Sequence, residues 1–243
     1  MTSIIEKIQQ LKKNKMLKKM ASLEFEQARG RQHLDLLLAT QDNLNTKVKD
    51  IMKKIRDMEE KRGEIEQSTH NVLQRKLEYH IVSTRIYEIP GIGKTLGDSI
   101  KRQIYQNSIN DLRFASRLQG IGESKQYAIN RWIRKYELEI PKLMKQDFPG
   151  KRELLLVSAK KIYILNEEIG KLQARKESLG KKLETINPWI EKFQAISRED
   201  FINARLDNQI NNAEIDLFIK GIFGEWETMP DWFKDVLNEV NNV

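Results

Sequence analysis

The sequence predicts an all-α protein: a long antiparallel coiled-coil stalk, a small helical domain at its tip and a short helical C-terminal segment. Three observations lead there. Only 5 prolines and 12 glycines occur in 243 residues, clustered in a few places, so long runs are free of helix breakers. Two separate heptad patterns of apolar residues flank one central stretch. That stretch, from Ile86 to Ile133, carries a Gly-Ile-Gly phrase twice. Charged residues make up 32% of the chain and hydrophobic residues 39%, a balance that suits helices with narrow apolar seams better than one thick core.

Taken in order, residues 1–33 read as an N-terminal helical extension. Its apolar positions (Ile4, Ile5, Ile8, Leu11, Met16, Met20) suit extra turns against the C-terminal part or a second chain. Residues 34–79 form the first stalk helix. One heptad position reads Leu34, Gln41, Val48, Ile55, Arg62, Thr69, Lys76, and the other, apolar throughout, reads Leu37, Leu44, Ile51, Met58, Ile65, Val72, Tyr79. Residues 80–148 hold the repeated phrase, and Phe148-Pro149-Gly150 reads as a turn. The second stalk helix spans 151–196. Its seam is Leu155, Ile162, Ile169, Lys176, Leu183, Ile190 with Ser158, Leu165, Leu172, Leu179, Ile186, Phe193. Asn187-Pro188 reads as an N-cap and first-turn proline where this helix restarts or kinks. At about 1.5 Å per residue, both helices are on the order of 60–70 Å long. Two helices of such similar length, separated by a compact insert, are expected to fold back antiparallel; a parallel dimer through either helix is the alternative.

Residues 197–243 begin with Ser197-Arg198-Glu199-Asp200, the S/T-x-x-D/E form of a helix start. A helix from there to about Lys220 is expected to stop near Gly221-Ile222-Phe223-Gly224. Beyond it, Trp226, Trp232 and Phe233 surround Met229-Pro230. They read either as a cap on the helical pair or as an acidic-aromatic surface for a protein partner.

Charge is unevenly spread. Residues 85–136 carry 10 Lys/Arg against 4 Asp/Glu, the densest basic segment, whereas residues 198–243 carry 4 against 10. A basic patch favours polyanions such as nucleic acid or acidic lipid headgroups, its plain alternative being a solvated surface. With no cysteine, disulfides and thiolate metal sites are excluded, which fits a reducing compartment. No apolar run reaches signal-peptide length or the ~20 residues needed to span a bilayer. The expectation is a soluble, cytoplasmic protein, nucleoid-associated if bacterial, with no membrane partner.

The repeat carries the chemistry. Its first copy is Ile89-Pro90-Gly91-Ile92-Gly93-Lys94-Thr95-Leu96-Gly97, and its second is Leu118-Gln119-Gly120-Ile121-Gly122-Glu123-Ser124-Lys125-Gln126, 29 residues later. Glycine is needed where a turn takes up positive φ or brings backbone close to a ligand. The helix that follows opens with unpaired N–H groups and the positive end of its dipole, a combination that holds phosphate oxygens without reading bases.

The paired phrases resemble the tandem helix-hairpin-helix domain of many DNA repair, recombination and DNA-uptake proteins. Such a domain joined to a long coiled coil is also similar to the C-terminal region of certain bacterial helix-hairpin-helix/Ser-Thr-kinase-like proteins, although no kinase motif occurs here. The resemblance covers 50–60 residues of the chain. It implies that the backbone of Gly91, Ile92 and Gly93, with Lys94 and Thr95, holds one phosphate. Gly120, Ile121, Gly122 and Ser124, with Lys125 nearby, would hold another. The side chains of Ile92 and Ile121 belong to the core in this reading, while Lys101, Arg102, Arg113, Arg117, Arg131 and Arg134 widen the basic surface. Two departures stand out: Glu123 replaces Lys94, and Gln126 replaces Gly97 where the family has a small residue. They leave the second hairpin with a mainly structural part.

Gly-Ile-Gly-Lys-Thr is not a P-loop, because the pattern needs glycine where Glu88 stands. His33, His70 and His80 lack metal-ligand spacing, and the carboxylates alternate with Lys and Arg as on solvated helix faces. No catalytic constellation and no cofactor are expected. The functional expectation is non-catalytic, largely sequence-independent binding of duplex or branched DNA through backbone phosphates. The alternative is a structural coiled-coil adaptor that docks proteins through the hairpin domain and the acidic aromatic tail.

Overall fold

A computed structural model describes residues 4–106, 108–207, 213–222 and 229–241. Every regular element among them is helical: α1 (Ile4–Gln27), α2 (Arg29–Arg85), α3 (Lys94–Gln103), α4 (Glu123–Leu143), α5 (Lys151–Gln194), α6 (Arg198–Leu206), α7 (Ala213–Lys220) and α8 (Asp231–Asn241). Two 3-10 helices, Ile86–Glu88 and Ile109–Arg117, precede α3 and α4. The chain divides into two units, Met1–Ile55 with Lys171–Val243, and Arg56–Gly170.

The first unit is built on an aromatic core. Phe25 of α1 stacks on Phe218 of α7 at 5.3 Å and meets Phe201 of α6 edge-on at 5.4 Å. Phe193 of α5 meets the Phe218 ring edge-on at 5.7 Å. Around these rings lie Leu34, Leu37 and Leu44 of α2 and Leu179, Ile186 and Ile190 of α5, all buried. Aromatic rings of this size supply most of the apolar area that such a small core can bury. Ser197 caps α6 as its spacing implies, accepting from the Asp200 N–H at 3.0 Å. Arg205 of α6 holds Glu24 of α1 with two bonds of 2.8 and 2.9 Å. α2 and α5 face each other here with opposite direction. Gln41 donates to Asn187 Oδ1 at 2.9 Å, and Lys47 is among the cations that act on Lys182.

The second unit buries aliphatic residues. Ile86, Ile100, Ile109, Leu112, Ile129, Ile133 and Tyr136 are at or near zero exposure. Leu73, Leu77, Ile81 and Val82 of α2 complete this core. α2 and α5 again run antiparallel: Arg62 donates to Asn166 Oδ1 at 3.1 Å, and seven residues on, Thr69 donates to the Ser158 hydroxyl at 3.0 Å. The turn expected at Phe148-Pro149-Gly150 is present. Gly150 sits at φ +81, and Lys151 closes the turn by donating to the carbonyls of Met144 and Gln146, each at 2.7 Å.

Three local expectations are corrected. Helix α5 runs through Asn187-Pro188 instead of restarting there, and the Asn187 side chain serves as the acceptor for Gln41 rather than as an N-cap. The helix that begins after Ser197 ends at Leu206, not near Lys220, while Ala213–Lys220 forms a separate helix closed by Gly221 at φ +73. The heptad register of α2 fails after Thr69. Val72, Lys76 and Tyr79 are exposed, and Leu73, Leu77, Glu78 and Ile81 are buried in their place. The reason is a change of neighbour. Beyond Thr69 the buried face of α2 packs on the core formed by Ile86, Ile109 and Ile133.

Candidate functional site

The two Gly-Ile-Gly phrases fold into the same backbone, displaced by the same 29 residues as in the sequence. Each starts from a 3-10 helix whose C-cap is extended, Ile89 at φ −72 and ψ 124, and Leu118 at φ −86 and ψ 138. Ile92 N–H then donates to Ile89 O at 3.0 Å, and Ile121 N–H to Leu118 O at 3.2 Å. The first glycine of each phrase has the left-handed conformation, Gly91 at φ +78 and Gly120 at φ +89, which a Cβ-bearing residue adopts only with strain. The second glycine is the N-cap of the next helix, Gly93 at φ −79 and ψ 177, and Gly122 at φ −88 and ψ −179. Neither N-cap contributes a side-chain hydrogen bond to the first turn of its helix.

Ile92 and Ile121, at 3% and 7% exposure, belong to the core. Gly91, Gly93, Lys94 and Thr95 are exposed at the first turn, and Gly120, Gly122, Glu123 and Ser124 at the second. The two turns are neighbours through Lys125, whose ammonium donates to Gly120 O at 2.8 Å. Its aliphatic stem lies across Gly91, where a Cβ would sit 3.5 Å from Lys125 Cγ. Lys125 is therefore a strut between the turns before it is anything else. Lys94 is in no ion pair among the described residues.

The copies differ in how each 3-10 helix meets the helix after it. Gly97 lets the Tyr87 ring close on α3, since a Cβ there would lie 2.8 Å from Tyr87 Cε1. Tyr87 then donates to Asp98 at 2.7 Å, and Lys101 binds both Tyr87 and Asp98. The Tyr87 hydroxyl and the Lys101 ammonium hold the Asp98 carboxyl below its ordinary range. At the matching positions of the second copy stand Ser116 and Gln126. The large and small residue types are exchanged in the sequence, and Gln126 donates to Arg113 O at 3.1 Å.

Of the outlying basic residues, Arg113 pairs with Glu137 at 2.9 Å and Lys101 with Asp98 at 3.0 Å, so part of their charge is spent locally. Arg102 donates to Asp98 O at 3.4 Å, and Arg117 lies over the Phe114 ring at 4.7 Å. Arg131 and Arg134 are exposed on α4.

Glu78 is a residue that the sequence reading missed. It is 4% exposed and accepts from the Ile109 N–H at 2.8 Å, satisfying the first donor of the second 3-10 helix. The signal was a carboxylate set among Leu73, Leu77, Ile81 and Val82, and the change of register concealed it. Burial, with Glu78 and Asp111 adding, pushes the nearby Tyr105 phenol up to about 12. In the C-terminal segment Phe233 is fully buried and belongs to the core, and Trp232 stacks on Trp189 at 6.4 Å. Trp226 lies outside the described residues. Among the described residues no group of His, Asp or Glu is placed to hold a metal, and no helix is long and apolar enough to cross a membrane. No family model, curated protein or solved structure matches the chain.

Proposed function

We propose that this protein binds DNA without catalysis and largely without sequence preference, holding backbone phosphates on its two Gly-Ile-Gly turns as a tandem helix-hairpin-helix domain. The observation that carries the reading is the repeated backbone. Two left-handed glycines are each followed by an extended glycine N-cap and a helix whose first N–H groups lack a side-chain cap. The local excess of Lys/Arg, 10 against 4 over residues 85–136, supports a polyanionic ligand. In this reading the first turn, with Lys94 and Thr95, is the stronger phosphate site, and Glu123 weakens the second. The reading extends to architecture: α2 and α5 form the antiparallel coiled-coil stalk that carries the domain.

Gel shifts or anisotropy across a salt series test the function. Affinity is expected to fall steeply with salt, with a log–log slope of roughly 0.9 per phosphate neutralised. Lys94→Glu is expected to weaken binding to unrelated sequences equally and to lower that slope by about 1. Wild-type protein that binds no DNA at low salt would sink the reading. The exposed Glu123 favours a second one, a structural adaptor whose turns dock a protein. A partner that survives nuclease treatment and is lost on Glu123→Lys, with DNA affinity absent, would favour it.

A further inference from the structure

A cleft of about 540 Å³ opens beside the first Gly-Ile-Gly turn, lined by Glu88, Pro90, Tyr127, Arg131, Trp132 and Lys135. Tyr127, Arg131 and Lys135 follow one another at four-residue spacing on one face of α4, so an aromatic ring and two cations stand in a row. Tyr127 is 72% exposed, and nothing in the repeat requires an aromatic there, because the matching residue of the first copy is Asp98. Trp132 is 7% exposed, and its indole N–H has no acceptor among the described residues. Glu88 accepts from the Tyr136 hydroxyl through Oε2 at 3.2 Å, which anchors the carboxylate at the cleft wall. Pro90 joins this wall directly to Gly91.

A second cleft of about 550 Å³, between α2 and α3, is also basic and aromatic, but its groups are spent on one another. Lys101 is tied to Asp98, and the Tyr79 and Tyr105 rings face each other at 6.2 Å. The cleft at Tyr127 sets an exposed ring and two exposed cations in one row, with the Lys135 ammonium also over the Tyr136 ring at 5.1 Å.

Exposed aromatic rings interleaved with cations are how proteins hold unpaired nucleotides. The ring stacks on a base face, the cations take the phosphate, and every base has a face to offer. We propose that this cleft takes an unpaired nucleobase, stacked on Tyr127, with its phosphate on Arg131 and Lys135 and the Glu88 carboxylate accepting from a ring N–H or exocyclic amine of the base. The inference rests on the reading that the neighbouring turn holds a backbone phosphate, and it narrows the ligand: DNA in which a paired segment passes into an unpaired one is preferred over a blunt duplex.

Anisotropy titrations with the full chain test it, using a labelled blunt duplex, the same duplex carrying a short single-stranded tail, and the tail alone. Wild-type protein is expected to bind the tailed duplex at least roughly fivefold more tightly than the blunt one. Tyr127→Ala should erase that advantage and leave blunt-duplex affinity unchanged, Tyr127→Phe should retain it, and Lys94→Glu should weaken both duplexes. Thermal melts followed by circular dichroism check that each variant is folded. Equal wild-type affinity for the two duplexes overturns the inference, as does an equal loss on both with Tyr127→Ala. Binding to the tail that depends on Tyr127, with no duplex binding at all, keeps the cleft and removes the phosphate role of the turns. Absence of binding to any of the three removes both.

Discussion

Gly91 and Gly120 share a left-handed backbone but differ in what a methyl group would meet there. At Gly91 it would lie in ordinary van der Waals contact with the stem of Lys125, whereas at Gly120 it would meet nothing within 4 Å. Gly120→Ala therefore isolates the cost of the backbone conformation, about 1 kcal/mol. A urea titration should show a lower midpoint with an unchanged slope, and no change in midpoint would mean that the turn relaxes. His33 offers a second test at this scale. Its Nδ1 accepts from the Ile222 N–H at 3.0 Å, a bond that only the neutral ring can make through that atom. Burial first, and then the nearby Arg29, lower its pKa from the ordinary value of 6.5. The folded state thus takes up a proton less readily than the unfolded chain. The stabilising contribution is fully present above about pH 6.5 and is lost as pH falls through the lowered folded value. Urea midpoints measured at neutral and mildly acidic pH should diverge in the wild type, and the His33 share of that divergence should vanish in His33→Gln.

At the scale of the element, α2 shows what a one-dimensional pattern can and cannot carry. The apolar seam from Leu34 to Ile65 is legible because its seven-residue period persists, with Leu34, Leu37 and Leu44 buried and the later positions half-buried. Past Thr69 the neighbour is the core around Ile86 and Ile133, which the period of α2 alone does not encode, and Tyr79 is solvent-facing at 62% exposure as a result. The continuity of α5 through Pro188 was hidden for a similar reason. Proline removes a donor and disfavours helix locally, and the loss is overridden by packing of Ile186, Ile190 and Phe193 on either side. The paired turns were legible at once, because positive φ selects glycine whatever the surroundings; the exchange of Tyr87 and Gly97 for Ser116 and Gln126 was not, because it is visible only across two elements. The pairing of α2 with α5 has a direct test. The chain has no cysteine, and the Thr69 hydroxyl donates to the Ser158 hydroxyl at 3.0 Å, so the two side chains are in direct contact. The oxidised Thr69→Cys/Ser158→Cys variant should run as a cross-linked monomer and gain up to about 4–5 kcal/mol from closing so long a loop. A disulfide-linked dimer as the main product would show that the two helices pair between chains.

In the whole molecule two cores of different character share two helices. One is filled with phenylalanine rings, and the other with isoleucine and leucine around the turns. Truncating Phe201, which is fully buried against Phe25 and Phe218, should cost about 3–5 kcal/mol. Hydrogen exchange should then lose protection in residues 6–55 and 171–206 well before residues 86–143. Uniform loss across both sets would show that α2 and α5 bind the two units into one cooperative whole.

Three polar pairs join α2 to α5. Gln41 with Asn187, Arg62 with Asn166, and Thr69 with Ser158 each place a donor opposite an acceptor. Paired with its own copy in parallel register, the α2 sequence would set Arg62 against Arg62 and leave Gln41 and Thr69 without these acceptors. Mixed as excised peptides, the two helices are therefore expected to favour the mixed antiparallel pair over a parallel pair of α2 copies, which circular dichroism of the mixture against each peptide alone would check.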